Sequence, residues 1–119
     1  MIEEKRGSGF FIASEANGTL SRDNVIVLSG EVLEVGQVLG TIALSGKVVA
    51  INLVAIDGSE VASGVLYNAT DATDSDLEAV AIVRDAEVKK DELIYGTTDA
   101  GEIATINAQL LALQVKVLA

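Results

Sequence analysis

The sequence predicts a mainly β fold: a small domain of short strands with one C-terminal helix, preceded by a flexible N-terminal arm. Three observations carry this. Short apolar runs separated by glycine-containing turns fill residues 25–95. The apolar spacing changes to that of a helix only once, after Asp99. Residues 1–24 differ from the rest, being rich in Gly, Ser, Glu and Asn around one apolar knot, Phe10-Phe11-Ile12.

The elements follow in order. VIVL (25–28) is a short apolar run, and Gly30 and Gly36 bracket EVLEV. QVLGTIAL leads to Ser45-Gly46, a two-residue turn signal before KVVAINL, so 41–53 reads as a hairpin. Asp57-Gly58 marks the next turn. EVASGVLYN (60–68) and LEAVAIVR (77–84) are strands joined through the polar DATDSD (71–76). Short strands at EVK (87–89) and LIY (93–95) come next. Asp99 with Glu102 resembles a capping box, and Ile103, Ile106, Leu110 and Leu113 recur at helical spacing. A helix over 100–112 follows, and VKVL (115–118) closes the chain as a strand.

This divides the 119 residues into an arm, 1–24, and a β-rich domain, 25–119. Both phenylalanines lie in the arm's apolar knot. The segment either folds back as an edge strand or forms an arm whose Phe residues anchor to another molecule. Ten extended residues reach about 33 Å.

Composition narrows the function. Half of the chain is hydrophobic but only 3% is aromatic, so the core is aliphatic. So much aliphatic content in a small domain leaves apolar surface over, which favours a partner or self-association. In 57–66, DGSEVASGVL, Gly64 sits where a strand prefers a side chain. It marks either a close approach of strands or subunits, or a β-bulge.

The chain has no cysteine and no histidine, so no side chain has an ordinary pKa near neutrality. This argues against an enzyme; acid–base chemistry would need a strongly shifted carboxylate or lysine. Asp71, Asp74, Asp76 and Glu78 have alternating spacing, but a calcium loop counted from Asp74 would need Gly and Glu where Ala79 and Asp85 stand. GTIALSGK (40–47) has five residues between its glycines rather than the four of a phosphate-binding loop. The net charge is −10, with three basic and four acidic side chains in 1–24 and five and fourteen in 25–119. An acidic body repels nucleic acid and anionic membranes. No apolar run reaches the length of a membrane span, and Phe10 to Ala13 is too short for a secretory apolar region. The protein is therefore expected to stay in the compartment where it is made, and two Asn-x-Thr sequons at Asn17 and Asn68 carry no weight. GEVLEVGQVLGTI (30–42) is of a kind found in biotinyl and lipoyl carrier domains, with Lys47 beside a turn as the residue to be modified. Lys47 lacks the flanking residues such a tip carries, so a carrier domain is the alternative reading.

Several segments, taken in order, resemble one family: SEANGTLSRDNV (14–25), GQVLGTI (36–42), DGSEVASGVLY (57–67), DATDSD (71–76), AIVRDAEV (81–88) and INAQLLALQVKV (106–117). Together they are similar to the bacteriophage lambda head decoration protein D family over about residues 12–118. The chain departs from the usual pattern at KVVAIN, at Asp85 and at Tyr95-Gly96, losing prolines and aromatics but keeping the β pattern.

The resemblance implies structural work without catalysis or cofactor. It implies a β-clip domain that forms homotrimers on the outer surface of the expanded head, at local threefold positions. There it stabilises the capsid against packaged DNA. It implies an N-terminal arm that is mobile in the free protein and pairs with the major capsid protein as an added strand. Gly9, Phe10, Phe11, Ile12, Ala13 and Ser14 would then form the contact. Phe10 and Ile12 would share one strand face and Phe11 the other. The location implied is the virion, on the outside of the capsid, after synthesis in the bacterial host cytoplasm. No nucleic acid, membrane, metal or small-molecule substrate is expected. An arm that orders on binding costs roughly 1–2 kcal/mol per residue, so three arms on one trimer gain through effective concentration.

Overall fold

Each β-prone run is short, and the turns between them return the chain to the same five-stranded wall. A computed structural model describes residues 12–15 and 21–118. The strands are β1 (Ile12–Glu15), β2 (Arg22–Val27), β3 (Val32–Leu33), β4 (Val38–Thr41), β5 (Val48–Ala50), β6 (Ala62–Leu66), β7 (Thr70–Asp71), β8 (Leu77–Ile82) and β9 (Ala86–Lys89). A 3-10 turn at Lys90–Glu92, the helix α1 (Ala100–Ala112) and β10 (Val115–Leu118) complete the chain.

Strands β2-β5-β4-β6-β8 form a closed barrel. Strand β2 runs antiparallel to β8 from Arg22↔Ile82 to Val27↔Leu77 and meets β5 through Val27↔Val48. Beside the barrel lies a sheet of order β1-β9-β10, with β1 antiparallel and β10 parallel to β9. The parallel pairing of β9 and β10 requires a long crossover, which α1 supplies. A third pair, β3-β7, is only two residues long on each side.

Alternate residues of the barrel strands serve two different cores. Val38, Val65 and Ile82 belong to one cluster, together with Ala86, Val88 and Val115 of the outer sheet and Ile106 and Leu110 of α1. Their sequence neighbours Leu39, Leu66 and Ala81 belong to the other, with Val27, Val48 and Ala79, so that all five barrel strands contribute to the interior. Side chains alternate faces along a strand, and both faces here are covered, which is why these runs read as continuously apolar. A five-stranded barrel has a narrow interior, and Ala79 and Ala81 are small enough to fill it. The scarcity of aromatic residues follows from that geometry.

The helix spans the predicted 100–112. Asp99 accepts a hydrogen bond at Oδ2 from the Glu102 N–H at 2.9 Å. The Glu102 carboxylate does not return the bond directly. It accepts from the Thr97 hydroxyl at 2.6 Å, and Thr97 Oγ1 accepts from the Asp99 N–H at 3.1 Å, so Thr97 completes the cap as a relay. Ile106 and Leu110 are fully buried, and Ile103 and Leu113 pack at the margin of the same cluster. Tyr95 is buried beside the helix and donates its hydroxyl to Asn107 Oδ1 at 2.7 Å. Burial pushes the Tyr95 phenol above its ordinary pKa, against the opposing pull of the Asn107 bond.

Three local expectations change. The hairpin joining β4 and β5 forms, but Ile42 N–H bonds to Lys47 O at 2.9 Å, leaving four residues, 43–46, in the connection rather than a two-residue turn. Gly46 takes φ 73° there, a left-handed conformation that glycine adopts without strain. EVLEV contributes only Val32–Leu33 as strand. LIY makes a single parallel bridge, Gln37↔Ile94, rather than a strand: Leu93 and Tyr95 are buried in strand-like alternation, but the 3-10 turn at Lys90–Glu92 on one side and Gly96 at φ 74° on the other leave only Ile94 paired.

Gly64 satisfies both sequence readings within one chain. The β4–β6 register shifts between Leu39↔Gly64 and Gly40↔Ala62, which leaves Ser63 as an extra residue. A Cβ built on Gly64 would also stand 2.8 Å from the Ile82 carbonyl oxygen, so the strands approach closely at this point.

Candidate interaction surfaces

Strand β1 is the described part of the arm. Ile12 pairs with Val88, Ser14 with Glu87 and Glu15 with Ala86, with a register irregularity between Ile12 and Ser14. Ile12 is half-buried against the core cluster shared by the outer sheet and α1. Strand β1 is the terminal strand of its sheet and has β9 as its one neighbour among the described residues. Among the described residues, one row of its backbone groups has no strand beside it, the arrangement to which an extended peptide adds. Ile12, Ala13 and Ser14 of the expected contact lie on this strand, while Gly9, Phe10 and Phe11 lie outside the described residues.

The second surface is apolar and was not singled out in the sequence. Leu44, on the β4–β5 connection, is 101% exposed, and Ile56 and Val54, on the loop between β5 and β6, are 98% and 87% exposed. The two loops brace each other. Ala43 N–H bonds to Asp57 O at 2.8 Å, one residue from Leu44 on one side and from Ile56 on the other. Asn52 N–H bonds to Ser59 O at 3.0 Å. Asp57 accepts from the Ser59 N–H and hydroxyl at 3.0 and 2.6 Å, which holds its carboxyl below the usual range.

Charged groups tie loops together. Lys47 Nζ stands 2.6 Å from Asp76 Oδ2, and Asp76 Oδ1 accepts from the Ser29 N–H at 2.8 Å. The Lys47 hydrogen bond and the Ser29 N–H hold the Asp76 carboxyl below its ordinary pKa, while modest burial opposes them. Arg84 pairs with Asp23 at 2.8 Å beside an open cleft of about 470 Å³ at the barrel mouth, lined by Val25, Leu39, Val48 and Val83 among others. In the 71–76 loop, Asp71 accepts from the Thr73 N–H and hydroxyl, so Asp71 and Asp76 serve different partners. Lys47, the residue a carrier domain would modify, is engaged by Asp76.

Among the described residues, no group of three or more His, Cys, Asp or Glu is arranged to hold a metal ion, and no helix is long and apolar enough to cross a membrane. What the structure presents is an edge strand, two apolar loop tips joined by a backbone hydrogen bond, and a closed barrel, features of an interaction module. The family model for bacteriophage lambda head decoration protein D matches residues 1–115, and the chain belongs to that family. Its members are structural components of the outside of a phage capsid. A search of curated proteins finds no match to the chain.

Proposed function

We propose that this protein cements the expanded phage head: a homotrimer on its outer surface, at local threefold sites, holding neighbouring capsid subunits against the pressure of packaged DNA. The observation that carries this reading is the edge position of β1, next to residues 9–11 of the arm. The capsid-binding arm lies within residues 1–24 and ends before Arg22, where β2 enters the barrel, so the decoration domain begins at Arg22 rather than at Val25. The root of the arm is pinned to β9, and the free edge of Ile12–Glu15, together with Gly9, Phe10 and Phe11, receives a strand of the major capsid protein. Backbone hydrogen bonds hold that strand, and the Phe side chains anchor it. A threefold site suits a trimer because three equivalent arms then meet three equivalent capsid strands. The acidic chain, net charge −10, fits a partner that is neither nucleic acid nor an anionic membrane. No catalytic step, cofactor or small-molecule substrate is required, and synthesis in the host cytoplasm places the chain where heads assemble.

Co-sedimentation with expanded, undecorated heads tests this, using the full chain and versions lacking residues 1–11 and 1–16. The full chain is expected to pellet with heads. Loss of 1–11 should weaken binding, and loss of 1–16, which also removes β1, should abolish it. Equal binding by all three would place the contact on the domain rather than the arm, and no binding by any would overturn decoration of that head.

A further inference from the structure

We propose that Asp57–Gly58 is a masked self-modification site: Ser59 and Glu60 hold this dipeptide out of the ring closure that converts Asp57 to isoaspartate, and removing them unmasks it. The proposal concerns the chemical durability of the chain and stands apart from the decoration reading.

An Asp-Gly pair is the aspartyl sequence most prone to this reaction, because glycine has no side chain to shield its nitrogen. The chain holds one such pair. The Gly58 nitrogen attacks Asp57 Cγ in its protonated, carboxylic acid form. A new C–N bond forms, the carboxyl C–O bond breaks, and the amide proton and the hydroxyl leave as one water. The product is a five-membered succinimide. Water then adds back at either ring carbonyl. Opening at the Cγ carbonyl restores aspartate. Opening at the main-chain carbonyl leaves the chain running through Cγ, which is isoaspartate, with one extra methylene in the backbone. The net change is an isomerisation in which the water released is taken up again.

The structure opposes each requirement of that closure. Asp57 Oδ1 accepts the Ser59 N–H at 3.0 Å and the Ser59 hydroxyl at 2.6 Å, and both bonds must break before Cγ can swing onto the Gly58 nitrogen. Ser59 is only 2% exposed, so water does not compete for them. The same two bonds favour the ionised carboxylate, from which oxygen leaves poorly. The Gly58 N–H is engaged by Glu60 Oε1 at 2.9 Å. A carboxylate is far too weak a base to deprotonate an amide, so this bond restrains the nitrogen rather than activating it. The backbone on either side is held as well, Asp57 O by the Ala43 N–H at 2.8 Å and Ser59 O by the Asn52 N–H at 3.0 Å. There is no slack for the extra methylene. A Cβ on Gly58 would stand 2.7 Å from Thr41 O, and one on Gly40 would stand 2.2 Å from Ser59 O. Isoaspartate at 57 would also part the Ala43–Asp57 bond that joins the two loops.

Ageing the full chain for weeks at physiological temperature and mildly acid pH tests the assignment. Trypsin cuts after Lys47 and Arg84 and at no residue between them, so peptide 48–84 isolates the site. Isoaspartyl methyltransferase labelling with fragmentation then locates the modified residue. The folded wild type is expected to gain isoaspartate at 57 at a small fraction of the rate of the guanidinium-unfolded chain. Ser59→Ala and Glu60→Ala should each gain it several-fold faster than wild type, with unchanged circular dichroism and melting, and the double variant faster still. A folded wild type that ages as fast as the unfolded chain overturns the assignment, as do variants that melt like wild type and age no faster. If the variants melt lower, Asp57→Asn decides. Its Oδ1 keeps the acceptor for both Ser59 bonds, and its ring closure expels ammonia without needing a protonated carboxyl, so the hold on the loop alone slows it. Deamidation at 57, read by mass, should stay far slower in the folded chain than in guanidinium, and equal rates overturn the assignment.

Discussion

Gly64 and Ile82 set the closeness of the barrel: a Cβ on Gly64 would lie 2.8 Å from the Ile82 carbonyl oxygen and 3.1 Å from Val83 Cγ1. The obstacle at 2.8 Å is backbone, which has nowhere to go without parting β6 from β8. Gly64→Val is therefore expected to destabilise the fold by about 1–3 kcal/mol. Thermal melting measures it, at roughly 4 °C per kcal/mol for a domain of this size. An unchanged melting temperature would show that the strands can part at no cost. Gly40→Ala should cost more than Gly64→Ala, because its Cβ would stand 2.2 Å from Ser59 O.

Leu110 and Ile106 bind α1 to the barrel and outer sheet, both fully buried in one cluster. Leu110→Ala is expected to cost about 2–5 kcal/mol, the range for removing a buried leucine side chain. The exposed Leu111→Ala should lie within about 0.5 kcal/mol of wild type. Urea titration of both variants measures the contrast, and equal midpoints would mean that the helix is not docked as described.

Asp99 caps α1 through the Glu102 N–H. Asp99→Ala should cost about 1 kcal/mol, and Asp99→Ser should recover most of it. Circular dichroism melting reads both variants.

How much of this was legible in the sequence depended on how local each cause was. The helix was legible from end to end because its cap and its stripe, Asp99 through Leu113, lie within one short segment. The β4–β5 hairpin was legible from Ser45-Gly46, although its exact turn was not, since the Ile42–Lys47 pairing depends on the twist of both strands. Which strands close the barrel was not legible. Val27↔Val48 joins residues far apart in the chain, and nothing local specifies that bridge. The apolar loop tips were invisible for a different reason. Leu44, Val54 and Ile56 belong to the same residue types as the buried Leu39, Val65 and Ile82, and only the fold separates them. For the arm, the sequence left an edge strand and a reaching anchor open; Ile12–Glu15 pairs with β9, and Gly9, Phe10 and Phe11 lie outside the described residues.

The Lys47–Asp76 pair predicts a pH dependence. Asp76 has its folded pKa lowered by the Lys47 hydrogen bond and the Ser29 N–H. A depressed folded pKa contributes stability that is present above the ordinary carboxylate value of 3.8 and is lost as pH falls through the folded value. The melting difference between wild type and Asp76→Asn should therefore be largest near neutrality and shrink below about pH 4. It should also shrink in high salt, since both groups are partly exposed. A difference that grew on acidification would contradict the pairing.

The central claim is decoration at threefold sites, and counting bound chains on expanded heads at saturation tests it most directly. Quantitative densitometry or mass measurement of purified decorated heads gives the count. The account predicts saturation at three copies per local threefold site, with no binding to heads that have not expanded. Saturation at one copy per site, equal binding before and after expansion, or no binding to the cognate head would contradict it.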